Sequence, residues 1–373
     1  MMLRCAFCAL ICIVLAACAS THQTGIMPLS PTQRSTSDAT TAAAGISHIT
    51  VIMMENVPYE SAIGSGDAPF LNALAARGAL FTNSHGVAHP SEPNYLALFS
   101  GSTQGVTSDA CPLAFDGDNL AAQLSAHGLT FAGYAEDAPA SGNPCFADPS
   151  SSVSSGYLYW RKHVPWADFN NAPNGAAQAY APGVNLNNAV NFIVPNICND
   201  MHDCGVATGD AWLAENVPAI ESYDASNAGL LVVTFDEGVD SAANHIVTIL
   251  DGPMVNSGQY GASIDHYSML HFIETTFGLP LLGANGDASP ILGAIAGGAS
   301  FTHTGTVGQV MPDYVHVQFG TGCGWLHVFT SASTAYSPAS WRPAPGDTIM
   351  VRGSGSCINR ATATEIDLQQ SAQ

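Results

Sequence analysis

Apolar positions along this chain fall into two kinds of run. Residues 49–54 and 230–235 are short and almost continuously apolar, as in strands buried on both faces of a sheet. Residues 130–134 and 246–250 read as further strands, the latter as the neighbour of 230–235. Between them the spacing turns helical. A helix is expected over 68–77, closed by Gly78 as its C′ residue, and another over 119–127, ending at Gly128. Asp265 caps a third, whose Met269, Leu270, Ile273 and Phe277 fall on one face. Strands alternating with helices predict an α/β fold, a sandwich around a largely parallel sheet, over residues 48–300. From residue 305 the pattern changes. Short runs at 315–319, 325–330 and 348–351, with a turn at Pro345-Gly346-Asp347, predict a small β-rich module over 305–373.

The first residues add a destination. Arg4 precedes an apolar stretch over 5–14, too short to cross a bilayer, and Leu15-Ala16-Ala17-Cys18 looks like a bacterial lipobox. Residues 1–18 then form a lipoprotein signal peptide and Cys18 carries the lipid; cleavage as an ordinary signal near Ala19 is the alternative. Residues 19–47, rich in Ser, Thr, Ala and Pro, read as a flexible linker. The expectation is an exported protein, lipid-anchored in a bacterial cell envelope (outer membrane or periplasm) or secreted, meeting membrane only through the anchor. Of ten cysteines, Cys5, Cys8, Cys12 and Cys18 fall in this segment, leaving Cys111, Cys145, Cys198, Cys204, Cys323 and Cys357. An even number in an exported chain implies disulfides. Nearest-neighbour pairing gives Cys111–Cys145, Cys198–Cys204 and Cys323–Cys357, with other connectivities open. A net charge of −21, with Lys162 the sole lysine, leaves no electrostatic footprint for nucleic acid.

Chemistry concentrates at strand ends. The first strand runs into Glu55-Asn56 and the strand at 230–235 into Asp236-Glu237. Ligands of open α/β sheets sit outside the carboxyl ends of the strands, so both pairs fall where a site belongs. Either pair alone is more often a turn or a helix cap. Brought together, the acids repel unless a cation joins them, and an all-oxygen set favours Ca²⁺, Mg²⁺ or Mn²⁺ over Zn²⁺. Ser91 stands just ahead of Pro93 at a helix start, a place that suits a phosphate-accepting serine and also a plain capping serine.

The motifs at 51–56 and 90–97, Cys198 to Cys204, Gly209 to Leu213, Thr234 to Gly238 and Asp265 to Ser268 occur in a familiar order. From Ile49 to about Leu282 the chain resembles the bacterial acid phosphatase and phospholipase C family of phosphoesterases, in the alkaline phosphatase superfamily. The resemblance implies an alkaline-phosphatase-like α/β/α sandwich and one divalent metal held by Glu55, Asn56, Ser91, Asp236 and Glu237. It makes Ser91 the nucleophile that forms a phosphoserine, Asn94 a ligand of a phosphate oxygen, and His202 and His163 phosphate-binding or proton-donating residues. It would have Asp200 orient a histidine. Apart from the resemblance, His266, at the start of the Asp265 helix, is read equally as lining the pocket or as structural. Ser91 and the short segment closed by Cys198 and Cys204 match the acid phosphatase branch; Val57-Pro58-Tyr59 departs from many relatives. The expected activity is hydrolysis of small-molecule or lipid phosphate monoesters. A phospholipase C-type phosphodiesterase is the alternative, and a surface lipoprotein without catalysis ranks below both. His245 is expected to be structural; His48, His85 and His89 receive no role.

Overall fold

The computed structural model describes residues 46–371 apart from 174–175, 240–242, 290, 292, 296–299, 312–313, 320–323, 331–333 and 356–359. The signal segment, Cys18, nearly all of the linker, and the expected Cys323–Cys357 bridge lie outside the described residues.

The strands are β1 (His48–Met54), β2 (Ala79–His85), β3 (Phe131–Ala135), the hairpin β4 (Phe146–Pro149) and β5 (Tyr157–Trp160), β6 (Ala177–Ala179), β7 (Val190–Val194), β8 (Gly229–Phe235), β9 (His245–Asp251), β10 (Gly258–Tyr260) and β11 (Ile264–Asp265). All but the hairpin join one 9-stranded sheet, ordered β10-β2-β9-β8-β1-β7-β3-β6, with β11 on β2. Only β9 runs antiparallel to its neighbours, so the sheet is largely parallel, as expected.

Helices α1 (Tyr59–Ala62), α2 (Pro69–Arg77), α3 (Glu92–Ser100), α4 (Leu120–Ala126), α5 (Val206–Asn227) and α6 (His266–Thr276) cover both faces. The alternation of β1 shows why. Ile49, Val51 and Met53 pack into one core with α3, α4 and α6, while Ile52 and Met54 enter a second with α2 and α5. A strand buried on both sides cannot show a polar stripe, which is why these runs are continuously apolar. Every residue of α3 is buried, so Ser91, at its N-cap, is carried on a support packed on all sides.

Local chemistry explains most ends. Asn119 caps α4 by accepting from Ala122 N at 2.9 Å, and Asp265 caps α6 through a capping box with Ser268. Gly78 departs from expectation: its φ of −93° is not left-handed. Its need for glycine is steric instead, since a Cβ there would stand 2.5 Å from Leu250 O. The long helix α5 was not expected; its apolar Trp212, Leu213, Val217 and Ile220 are interrupted by small residues and by Pro218.

The tail forms β12 (Ser300–Val310), β13 (Tyr314–Phe319), β14 (Gly324–Phe329), β15 (Ala335–Ser337), β16 (Thr348–Gly355) and β17 (Arg360–Gln370). Strand β14 pairs with both β13 and β17, closing five of the strands around a core of Val307, Val317, Phe319, Val328, Ile349, Val351 and Ile366. Closure removes exposed sheet edges. The module is all-β as expected, but it opens with Ser300, ahead of residue 305, and its last strand was not foreseen.

Helix α6 is pinned at its far end by Glu274, which is fully buried and accepts from Leu282 N at 3.0 Å and Asn285 Nδ2 at 2.9 Å. Burial pushes its carboxyl from an ordinary 4.5 up to about 7. The folded chain therefore holds this proton more tightly than the unfolded one. The stability it contributes is whole below the unfolded value and is lost as pH rises through about 7. Glu274→Gln should flatten that fall, gaining on the order of 2–3 kcal/mol relative to wild type between pH 5 and pH 8. Melting curves across that range check it; parallel profiles for the two proteins would refute it.

Candidate active site

Strands β1 and β8 lie side by side in parallel, with Met54 opposite Phe235. Glu55 and Asp236 therefore leave the sheet together. Asp236 N donates to Met54 O at 3.0 Å, and Asn56 N donates to Asp236 Oδ1 at 2.9 Å. Asn56 makes this turn at a left-handed φ of 55°, a conformation asparagine tolerates better than most residues. From the neighbouring β7 side, Asp200 O accepts from Glu55 N at 2.8 Å. Glu55, Asp200, Asp236 and Glu237 are all buried.

Burial raises the pKa of every carboxyl in this cluster. Burial lifts Glu55, against the pull of Lys162 and His202. Burial, followed by repulsion from Glu55, lifts Asp200 and Asp236 well above the carboxylate range, and burial lifts Glu237. Glu55 Oε1, Asp200 Oδ2 and Asp236 Oδ2 are buried without a hydrogen-bond partner. Such orphaned oxygens destabilise a fold unless a proton or a cation joins them. Glu55, Asp236 and Glu237, with the amide of Asn56 and the hydroxyl of Ser91, form an all-oxygen set chemically suited to a hard divalent ion. Among the described residues no three or more His, Cys, Asp or Glu side chains already stand in ligating geometry.

Ser91 does not cap its helix. Its side chain makes no capping bond to α3. Instead Oγ donates to Glu55 Oε2 at 3.0 Å and lies 3.3 Å from Glu237 Oε1. The serine faces the acids.

Asn94, expected on a phosphate oxygen, has other partners. Its Oδ1 accepts from Val87 N at 2.9 Å and Ala88 N at 3.0 Å, and its Nδ2 donates to Ala88 O and Pro90 O. An amide has two donor hydrogens and two acceptor sites, and all are spent here. Asn94 braces the loop that carries Ser91. Asn244 ties that loop to the other half of the site: it donates to Ala88 O at 3.0 Å and accepts from Gly238 N at 2.8 Å.

The histidines divide. His163 is buried between Glu55 and Asp200, and stacks on Tyr95 at 5.1 Å. Its Nε2 lies 3.1 Å from Glu55 Oε1 but outside hydrogen-bonding alignment, so both atoms stay without a partner. Burial, helped by Lys162, pulls its pKa well below the usual range and keeps it neutral. His202 is partly exposed, with Nδ1 held by Asp203 Oδ1 at 2.7 Å. Asp200 accepts from His202 N at 2.8 Å, so it shapes this loop as well as flanking His163. The loop is closed by a disulfide between Cys198 and Cys204, and a second joins Cys111 to Cys145, both as paired from sequence. His266 is buried, and its Nε2 contacts Asp236 O at 2.7 Å, bracing the backbone that carries the acid. His245 is structural, held by Glu60 and stacked on Tyr59. His89, given no role from sequence, pairs with Glu237 Oε2. Lys162, Tyr95 and Asn244 were likewise missed; of these only Lys162, as the sole lysine, carried any signal in the sequence.

A family model described as the Phosphoesterase family matches residues 65–280, a range that takes in Ser91, Asp200 and Asp236. A phosphatidylinositol-3-phosphatase of Mycobacterium tuberculosis is 40% identical over 259 residues, covering 68% of this chain and 84% of that protein. A probable acid phosphatase of Kluyveromyces lactis is 29% identical over 272 residues, 68% of this chain and 63% of its own length. The chain thus spans less than two thirds of that fungal relative. A solved structure of a protein in the alkaline phosphatase superfamily from Vibrio parahaemolyticus superposes with a TM-score of 0.47 at 11% identity, over 83% of this chain and 84% of the other.

Removing the loop brace tests this account of the site. Asn94→Ala orphans the donors of Val87 and Ala88, a cost on the order of 1–3 kcal/mol. The melting temperature and the turnover of any phosphate ester substrate should fall together. A variant melting like wild type would show that the loop does not depend on Asn94.

Proposed function

The chain belongs to the phosphoesterase family, a phosphoester hydrolase, and on that premise we propose that it hydrolyses phosphate monoesters through a phosphoserine formed on Ser91. The observation that carries the reading is the Ser91 hydroxyl, turned away from its helix and set between Glu55 and Glu237.

Ser91 Oγ attacks phosphorus while its proton passes to the carboxylate side of the site. The ester P–O bond breaks and the departing oxygen takes a proton from His202, whose Nδ1 is fixed by Asp203 so that Nε2 is the working nitrogen. Water then cleaves the phosphoserine. Buried and neutral, His163 lies beside Glu55 and is unsuited to give a proton. One divalent ion, held by Glu55, Asn56, Ser91, Asp236 and Glu237, would offset the carboxylate charge and lower the pKa of the Ser91 hydroxyl. Ca²⁺, Mg²⁺ and Mn²⁺ suit these oxygen donors better than Zn²⁺.

The names of the relatives, a phosphatidylinositol-3-phosphatase and acid phosphatases, weigh toward monoesters over the diesters of a phospholipase C. Small-molecule and lipid phosphate monoesters are the substrate class. The disulfides Cys111–Cys145 and Cys198–Cys204 support an exported, oxidising location, with the lipid anchor at Cys18 as the tether to a bacterial envelope.

Hydrolysis of p-nitrophenyl phosphate across pH, before and after EDTA with divalent ions added back, tests both halves. Activity should vanish with EDTA and return with one ion. Ser91→Ala should lose about three orders of magnitude or more in kcat at an unchanged melting temperature. A variant keeping a tenth of the rate would remove Ser91 as nucleophile, and EDTA-resistant activity would remove the metal.

A further inference from the structure

The acids of the site leave a problem that a single divalent ion does not solve. Glu55, Asp200, Asp236 and Glu237 are buried together, and a phosphate monoester brings up to two further negative charges. Further positive charge must stand nearby. In a chain with 8 basic residues against 29 acids it can come from few places. Arg161 is occupied: its guanidinium donates to Asn143 O, Leu113 O and Ala167 O and meets Asp168 at 2.8 Å. Arg77 pairs with Glu221, and Arg342 and Arg352 belong to the tail module.

Among the described residues Lys162 is the exception. It shares a single turn of 3₁₀ helix, Arg161–His163, with the histidine that contacts Glu55. Its side chain is 11% exposed and its ammonium lies 5.9 Å from the Trp160 ring centroid. Nζ is 2.7 Å from Asp109 Oδ2, while Asp109 Oδ1 accepts from Glu92 N, the residue after Ser91. One carboxylate thus ties the lysine to the start of the helix that presents the nucleophile. An ammonium has three donors, and Asp109 occupies one. The electrostatics agree: burial lowers the Lys162 pKa, but Glu55, Asp109 and Asp236 together outweigh it and raise the value, so the charge is held.

We propose that Lys162 is a phosphate-binding residue, its ammonium donating to a non-bridging oxygen of the phosphate that Ser91 attacks. The proposal rests on the monoesterase reading above. The bland alternative is that Lys162 only pairs with Asp109.

The test uses the full mature chain, metal-loaded, as wild type, Lys162→Met, Lys162→Arg and Asp109→Asn. Inorganic phosphate binding is read by calorimetry, beside KM, kcat and melting temperature with p-nitrophenyl phosphate. Lys162→Met should weaken phosphate binding and raise KM about tenfold or more, with a smaller loss in kcat. Lys162→Arg should recover part of it, and Asp109→Asn, which keeps the ammonium, should weaken binding less than Lys162→Met. If Lys162→Met fails to fold, Lys162→Gln takes its place. Phosphate binding within twofold of wild type in the neutral variants, with melting temperatures lowered equally by Lys162→Met and Asp109→Asn, would overturn the proposal. Should wild type hydrolyse no monoester, the monoesterase reading fails by itself. The calorimetric comparison still judges Lys162, and absent or lysine-independent binding would sink it.

Discussion

Everything at this site depends on the parallel pairing of β1 with β8, which sets Met54 beside Phe235 and so delivers Glu55 and Asp236 to one point. Two buried carboxylates at adjacent strand ends are unfavourable by themselves, since each loses its hydration and repels the other. The fold opposes this with rigid apolar layers on both faces of the sheet, and with backbone contacts that hold the acids in place. His266 fixes Asp236 O, Asp200 O receives Glu55 N, and Asn56 N caps Asp236. The residual strain is electrostatic, visible as orphaned oxygens.

Ser91 is positioned by polar bracing of a different kind. The loop before α3 has no regular structure to satisfy its backbone, so side chains do it: Asn94 from within the helix and Asn244 from beyond β8. Asn244 also receives Gly238 N, so the loop bearing Ser91 and the turn bearing Asp236 and Glu237 are referenced to the same amide. Asp109 and the Cys198–Cys204 loop extend this frame to Lys162 and His202, which are far apart in sequence.

Charge scarcity gives the arrangement its character. With few basic side chains, and most of them spent on carbonyl groups or surface acids, the position of each cation matters more than it would in an average protein. The tail module builds a core of its own from valine, isoleucine and phenylalanine, and the residues of the acid cluster all come from the main sheet and its loops.

What the sequence determined by itself was the part governed by local pattern. The continuous apolar runs marked the central strands, because burial on both faces leaves no polar stripe. Acids following those runs marked the carboxyl edge, and the Asp265 cap marked α6. An exported-type cysteine count paired Cys111 with Cys145 and Cys198 with Cys204, as the fold has them. Helix α5 escaped, since small residues and Pro218 blur its apolar face; so did the extended last strand of the tail. Roles set by three-dimensional partners were not legible. Ser91 could cap its helix or face the acids, and only the approach of Glu55 and Glu237 across long stretches of chain decided that it faces them. Asn94 looked like a ligand-facing residue, yet its polar atoms are spent on backbone, and one ring nitrogen of His266 meets the backbone of Asp236. His89, Asn244 and Lys162 entered the site only because the sheet brought remote loops to one edge. A side chain's chemistry is local, but what it can donate, accept or neutralise depends on which groups the tertiary fold leaves beside it.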